Sequence, residues 1–409
     1  MTASNGRLGA LARRALGVVP DAITSRVLGR YGWKQSDLTV AVAPSASVRL
    51  FVAPANSAGQ GWAWARAVER ELAHVGAFDM MVRTPGSDAF GFSADQRIPD
   101  GAFVFASGWR KRQRAALMDG FTHVLLESGQ FPYGSVPGKT PRDAAATLSA
   151  AGLEVALLWH GSDIRMPSAH AAAEQDSPFR DGGAYPAQKT AVLERNARKN
   201  LGFIESTDFP VFVSTPDLLP YAPRSVWLPG VVDVERWAAA ATSSPMQRTT
   251  PVVVHAPSNA GLKGTEAIRP IMRRLHDEGV VEYRELSGIP SAQMPAAYGA
   301  ADIVLDQFSL GIYGVAANEA LAAGRIVVSH VGDFTRRTVK EQTGLDLPIV
   351  ETRADALERV VRDIVADRRA HAELAASGPA FVRAVHDGRR SARVLADFLG
   401  VAPMAEAPA

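Results

Sequence analysis

The sequence predicts an α/β protein with two doubly wound parallel-sheet domains facing a central cleft. Three observations predict it. The chain has 409 residues, about two to three times the commonest domain size. Short, continuously apolar runs alternate with helical patterns, as expected of parallel strands covered on both faces. The alternation begins twice, at Val48 and again at Val252. Composition fits: 47% hydrophobic and 21% charged residues are the balance of an ordinary globular chain. The absence of cysteine excludes disulfides, thiolate metal sites and cysteine nucleophiles, and is compatible with a reducing compartment. A net charge of +2 provides no field that argues for nucleic acid. No signal-peptide pattern and no run of roughly 18 apolar residues is found, so a cytoplasmic protein is expected.

Residues 1–47 read as a basic helical arm. Leu8, Leu11, Ala15, Leu16 and Val19 fall at helical spacing among Arg7, Arg13 and Arg14, and Pro20 closes the run. Residues 7–34 are open to two readings: a peripheral contact with an anionic membrane at its inner face, or a terminal helix docked on its own domain.

Residues 48–228 form the first αβα domain. Strands are expected at 48–53, 78–82, 102–105, 123–126, 154–159 and 211–214, and helices at 62–75, 108–118 and 141–150. A polar loop with Asn56, Ser57, Gly59 and Gly61 follows the first strand, and 227–233 reads as an irregular connection. Residues 229–385 form the second domain, with strands at 252–255, 282–286, 303–306 and 326–329. Its helices are expected at 264–278, 290–300, 314–323, 353–369 and 370–385. Residues 386–409 add a helix at 389–399 and a frayed tail.

Three stretches carry chemistry. In the second domain a strand ends at Asp306-Gln307, a glycine loop follows at Gly311-Ile-Tyr313-Gly314, and a helix opens towards Asn318-Glu319. Such a loop aims backbone N–H groups and the positive helix end at an anion, and phosphate suits it. Glu319 lies one turn into a helix of small residues, where a carboxylate needs a partner such as a ribose diol. The second stretch is Val252-Val-Val-His-Ala-Pro-Ser258-Asn259 with Lys263-Gly264, which sets an ammonium at the head of a helix. The third is Trp159-His160-Gly-Ser-Asp163, at the carboxyl end of a parallel strand, where open α/β sheets bind ligands. Glu127 also ends a strand, as an acceptor-side or a structural residue. The nine histidines show no His-Glu-x-x-His spacing, and neither a Gly-x-Ser-x-Gly elbow nor a Walker A loop occurs.

The run Glu319-Ala-Leu-Ala-Ala-Gly-Arg-Ile-Val-Val328 resembles the nucleotide-binding signature of retaining GT-B glycosyltransferases, and the resemblance covers both halves of the chain. It implies that 48–228 is the acceptor side and 229–385 binds a nucleotide diphosphate sugar. It implies further that Glu319 binds the donor ribose, and that the loop with Gly311, Tyr313 and Gly314 cradles diphosphate and sugar. Ser258, Asn259 and Lys263 would serve the diphosphate, and His160 with Asp163 the reaction centre. The loop of Gly59 and Gly61 would approach acceptor and phosphates. The family's second glutamate, eight positions before Glu319, is here Gly311. The implied function is sugar transfer to an acceptor hydroxyl, with retention, with no cofactor beyond the nucleotide-sugar co-substrate and without a metal, since no Asp-x-Asp pair occurs. The alternatives are a nucleotide-sugar epimerase and a non-catalytic nucleotide-sugar-binding protein on the same fold.

Overall fold

A computed structural model of the chain describes residues 21–27, 33–83 and 90–402. Along the chain run α1 (Asp21–Val27), β1 (Val48–Ala53), α2 (Gln60–Glu71), β2 (Val75–Arg83), β3 (Gln96–Pro99), α3 (Asp100–Phe105), α4 (Ser107–Gly120), β4 (His123–Glu127), α5 (Pro141–Ala150) and β5 (Glu154–Trp159). Then come α6 (Pro167–Ala173), α7 (Ala187–Glu205), β6 (Val211–Val213), β7 (Val226–Trp227) and α8 (Val234–Ala239). The second series holds β8 (Val252–His255), α9 (Ala260–Lys263), α10 (Thr265–Asp277), β9 (Glu282–Glu285), α11 (Met294–Gly299), β10 (Ile303–Leu305) and α12 (Val315–Ala322). It closes with β11 (Ile326–Ser329), α13 (Asp333–Thr343), β12 (Val350–Glu351), α14 (Leu357–Ala366), α15 (Arg368–Val385) and α16 (Arg389–Leu399).

The chain divides into two units, one of residues 1–160, 203–212 and 392–409, the other of 161–202 and 213–391. A seven-stranded sheet has the order β3-β2-β1-β4-β5-β6-β7, and a five-stranded sheet the order β12-β11-β10-β8-β9. β1 runs parallel to β2 and β4, with Leu50 opposite His123; β10 runs parallel to β8 and β11, with Val304 opposite Val254 and Val327. The central strands are buried from end to end, which is why they read as unbroken apolar runs. Both orders reverse direction once, between β1 and β4 and between β8 and β10. Open α/β sheets take ligands outside the carboxyl ends of the strands at such a reversal.

The core of the second unit lies on both faces of its sheet. On one face Val304, Val327, Ala317, Leu321 and Phe381 pack together, and on the other Val253, Ile268, Leu305, Leu357 and Ile364. Helices α12 and α15 pack closely: a Cβ on Gly378 of α15 would come within 2.7 Å of the Leu321 carbonyl oxygen of α12.

Some elements differ from expectation. The strand expected at 102–105 is helix α3. Pro99 ends β3, and the apolar run that follows folds as a helix with Gly101, Ala102 and Phe103 buried; a short apolar run does not distinguish the two by periodicity. The helix expected at 353–369 breaks at Asp367, which leaves helical geometry and caps α15 by accepting the Ala370 N–H. Edge strands β3, β7 and β12 were too short to announce themselves. The predicted arm over 7–34 falls mostly outside the described residues. Within it, α1 is docked: the Asp21 carboxylate accepts the N–H groups of Gly108 and Trp109, at 3.0 and 2.8 Å, at the head of α4.

Candidate functional site

In the first unit the predicted residues converge on the reversal between β1 and β4. Glu127, the last residue of β4, is fully buried. Its Oε2 accepts the N–H groups of Ala55 and Asn56, both at 2.8 Å, which ties β4 to the loop after β1. Its Oε1 lies 2.9 Å from Nε2 of His160, which follows β5, and the imidazole stacks on Trp64 of α2. A carboxylate holding a histidine nitrogen fixes its tautomer and orientation. Glu127 is therefore engaged by the histidine, a pairing that its strand-end position alone did not reveal.

Gly59 and Gly61 border the same loop. Gly59 has φ +76°, and a Cβ on Gly61 would stand 2.5 Å from Oδ1 of Asp79. Gly61 is thus required by packing of α2 against β2, whatever the loop binds. Asp79 is fully buried, and neither carboxylate oxygen has a partner among the described residues. Burial, with Glu127 and Asp95 nearby, raises its pKa well above the usual carboxylate value. Sequence reading missed Asp79; a lone acid inside the apolar run of β2 was the available signal.

In the second unit the site lies at the reversal between β8 and β10. The Lys263 ammonium, after β8, pairs with the Asp306 carboxylate, after β10. Asp306 is buried, and its other oxygen has no partner among the described residues. Lys263 ends the four-residue α9, and Gly264, at φ +71°, is the joint to α10. Ser258 is exposed. Asn259 caps α9 by accepting the Leu262 N–H at 3.2 Å and donates to the Tyr185 hydroxyl at 3.0 Å. A cleft of about 540 Å³, bordered by Asp176, Gly261, Gly264 and Ser309, opens beside this loop.

The Gly311–Gly314 loop is braced from within. Gln307 accepts the Leu310 N–H at 3.0 Å and donates to the Ile312 carbonyl. Gly314 caps α12 with open space where a side chain would stand. Tyr313 turns into the core, 2% exposed, with its hydroxyl 3.2 Å from His386, so its side chain is a packing group. Glu319 accepts no hydrogen bond among the described residues. Desolvation pushes its carboxyl up to about 8, with Lys263 and Arg236 pulling it down and Asp306 adding to the rise. Asn318, the residue before it, is buried, and its Oδ1 also lacks a partner among the described residues. Asp163 belongs to this unit; its carboxylate accepts the Gly161 N–H at 2.8 Å, which shapes the loop that Arg165 anchors to Asp217.

Two further groups were not read from the sequence. His330, after β11, lies 3.0 Å from Glu174 and 2.7 Å from Glu351. Burial would lower its pKa, but the two carboxylates outweigh that and hold it up to about 9. Glu174, just past α6, is also held by Arg353. Residues more than 150 apart give no local pattern. Among the described residues no group of three or more His, Cys, Asp or Glu is arranged to hold a metal ion, and no helix is long and apolar enough to cross a membrane.

Two doubly wound parallel sheets, each with polar loops at its reversal, define the GT-B fold of glycosyltransferases. Three solved structures represent the likeness. Sucrose-phosphate synthase from Thermosynechococcus elongatus is 13% identical, with 85% of this chain and 97% of that one covered at a TM-score of 0.56. Anabaena HepE, solved with UDP and glucose, is 11% identical over 86% and 98% at 0.54. An alpha-glucosyltransferase, solved with UDP and a 13-mer DNA containing an HMU base, is 10% identical over 86% and 98% at 0.53. No family model and no curated protein matches the sequence.

Proposed function

We propose that the protein transfers a sugar from a nucleoside diphosphate sugar to an acceptor hydroxyl, with retention at the anomeric carbon and without a metal. The observation that carries the reading is the Lys263–Asp306 pair at the β8/β10 reversal, beside a glycine loop that opens α12 and the unpartnered Glu319. UDP and glucose in the structure of HepE support a sugar nucleotide as donor.

In this reading the ribose hydroxyls donate to Glu319, which exchanges a desolvated, unpartnered carboxylate for a hydrogen-bonded one. The diphosphate takes the N–H groups at the head of α12 and the Lys263 ammonium. An ammonium has three donors, so Lys263 can keep Asp306 and still reach phosphate. As the glycosidic bond breaks, negative charge gathers on the leaving diphosphate, and these fixed donors stabilise it most where it is greatest. His160, held by Glu127, is assigned to the sugar beside the reacting bond, Asp163 to the shape of its loop, and the Gly59–Gly61 loop to the acceptor. The acceptor is a hydroxyl of open identity, and nucleic acid belongs among those tried, since the alpha-glucosyltransferase was solved with DNA.

The test incubates pure protein with a panel of nucleotide sugars, with and without cell extract as acceptor source. Nucleoside diphosphate release that depends on acceptor supports transfer. Conversion of the donor without acceptor supports an epimerase, and binding without turnover leaves a non-catalytic binding protein.

A further inference from the structure

We infer that Glu174 supplies the carboxylate that binds the hydroxyls of the donor's sugar, in the place that the loop's own sequence leaves vacant at Gly311. The inference rests on the proposed function. Four observations carry it. A Cβ built on Gly311 would stand 2.7 Å from Oε1 of Glu174, so this carboxylate occupies the volume that any side chain at position 311 would enter. Gly311 has φ +65°, and a Cβ on Gly332 would stand 3.2 Å from the same oxygen, so glycines on two loops make room for it.

The carboxylate is also aimed. Its Oε2 takes both cationic partners, His330 Nε2 at 3.0 Å and Arg353 Nη2 at 3.1 Å, and Arg353 is itself braced by Asp176 at 2.8 Å. Oε1 accepts no hydrogen bond among the described residues. A group held at one oxygen and left unused at the other, beside a glycine loop, is arranged to accept from something outside the chain. Asn318 Oδ1, buried in α12 without a partner among the described residues, independently points to a ligand at this loop. The sugar of a bound donor is joined directly to the diphosphate that the loop is proposed to hold, so a carboxylate on the loop's first glycine meets sugar before it meets nucleoside.

The experiment titrates wild type, Glu174→Gln and Gly311→Ala with UDP and UDP-glucose, and with GDP and GDP-mannose, by calorimetry, using the pair that wild type binds. Loss of a charged hydrogen bond weakens the nucleotide sugar roughly ten-fold or more, and the expected result is that the free diphosphate changes less than about two-fold. Gly311→Ala keeps every charge but drives its methyl into Oε1, so it should show the same selectivity even if Glu174→Gln melts early. Equal weakening of sugar and free diphosphate in both variants, or no weakening, overturns the inference while the proposed function stands. Wild type that binds none of the four ligands overturns both.

Discussion

Glu319 concentrates the chemistry of the second unit in one side chain. Its carboxyl, with an ordinary pKa of 4.5, is pushed up to about 8 chiefly by desolvation. Between those values the folded chain holds a proton that the unfolded chain has lost, so stability falls as pH rises across that window. Glu319→Gln has no such proton. Its melting temperature should converge with wild type below pH 4.5 and exceed it above pH 8. In the proposed function ribose hydroxyls bind the ionised form, so wild-type affinity for the nucleotide should rise with pH towards 8, and Glu319→Ala should lose roughly 1.5–3 kcal/mol of it. A flat melting difference would rule out a desolvated carboxyl at Glu319. At His160 the expectation is different. His160→Ala should lower kcat roughly 10²-fold with little change in donor affinity. Glu127→Gln turns a donor towards Nε2 and imposes the other tautomer, so it should shift the pH profile of kcat. Wild-type turnover and profile in both would make the pair structural.

Carboxylates also decide how elements are held, and their burial ranks their importance. Asp302 is fully buried and accepts the N–H groups of Met246 and Val252, at 2.7 and 2.8 Å, together with Arg248. It therefore fastens the start of β10 to the start of β8. Asp21 is partly exposed and caps α4 across 87 residues. Loss of a cap costs about 0.5–2 kcal/mol, while stranding several buried donors costs roughly 2–5 kcal/mol. In urea denaturation Asp302→Ala should therefore lose clearly more stability than Asp21→Ala, with the slope of the transition unchanged. Equal losses would contradict the assignment of Asp302 as the tie between these strands.

At the scale of the whole molecule, the proposed function has the protein itself supply the positive charge for the leaving diphosphate. Transfer should then persist in excess EDTA, and Lys263→Ala should be far more damaging than chelation. Removing Lys263 also strands the buried Asp306, so Lys263→Ala/Asp306→Asn is measured beside it; both should be slower by roughly 10²-fold or more. An assay in which EDTA abolishes transfer and Mg²⁺ restores it would end the metal-free mechanism. Asp302 would not be the place to look for the missing ligand, since its oxygens are already taken by backbone and Arg248.

What the sequence determined by itself was the sheet-and-helix alternation and the loops at strand ends. A parallel strand buried on both faces reads as a nearly unbroken apolar run, so β4, β8 and β10 were legible locally, as was the glycine-loop-to-helix pattern of 311–319. Two-residue edge strands, and helix α3 behind Pro99, were not, because a short apolar run suits strand and helix alike. Pairings across long separations were decided only in three dimensions. Nothing near Glu127 in the sequence names His160, nothing near Lys263 shows that Asp306 already holds it, and Glu174 reaches His330 across 156 residues. Local pattern fixes where a strand ends; only the order of strands in the sheet fixes which strand ends meet, and charge and burial at those meetings then set what each side chain can do.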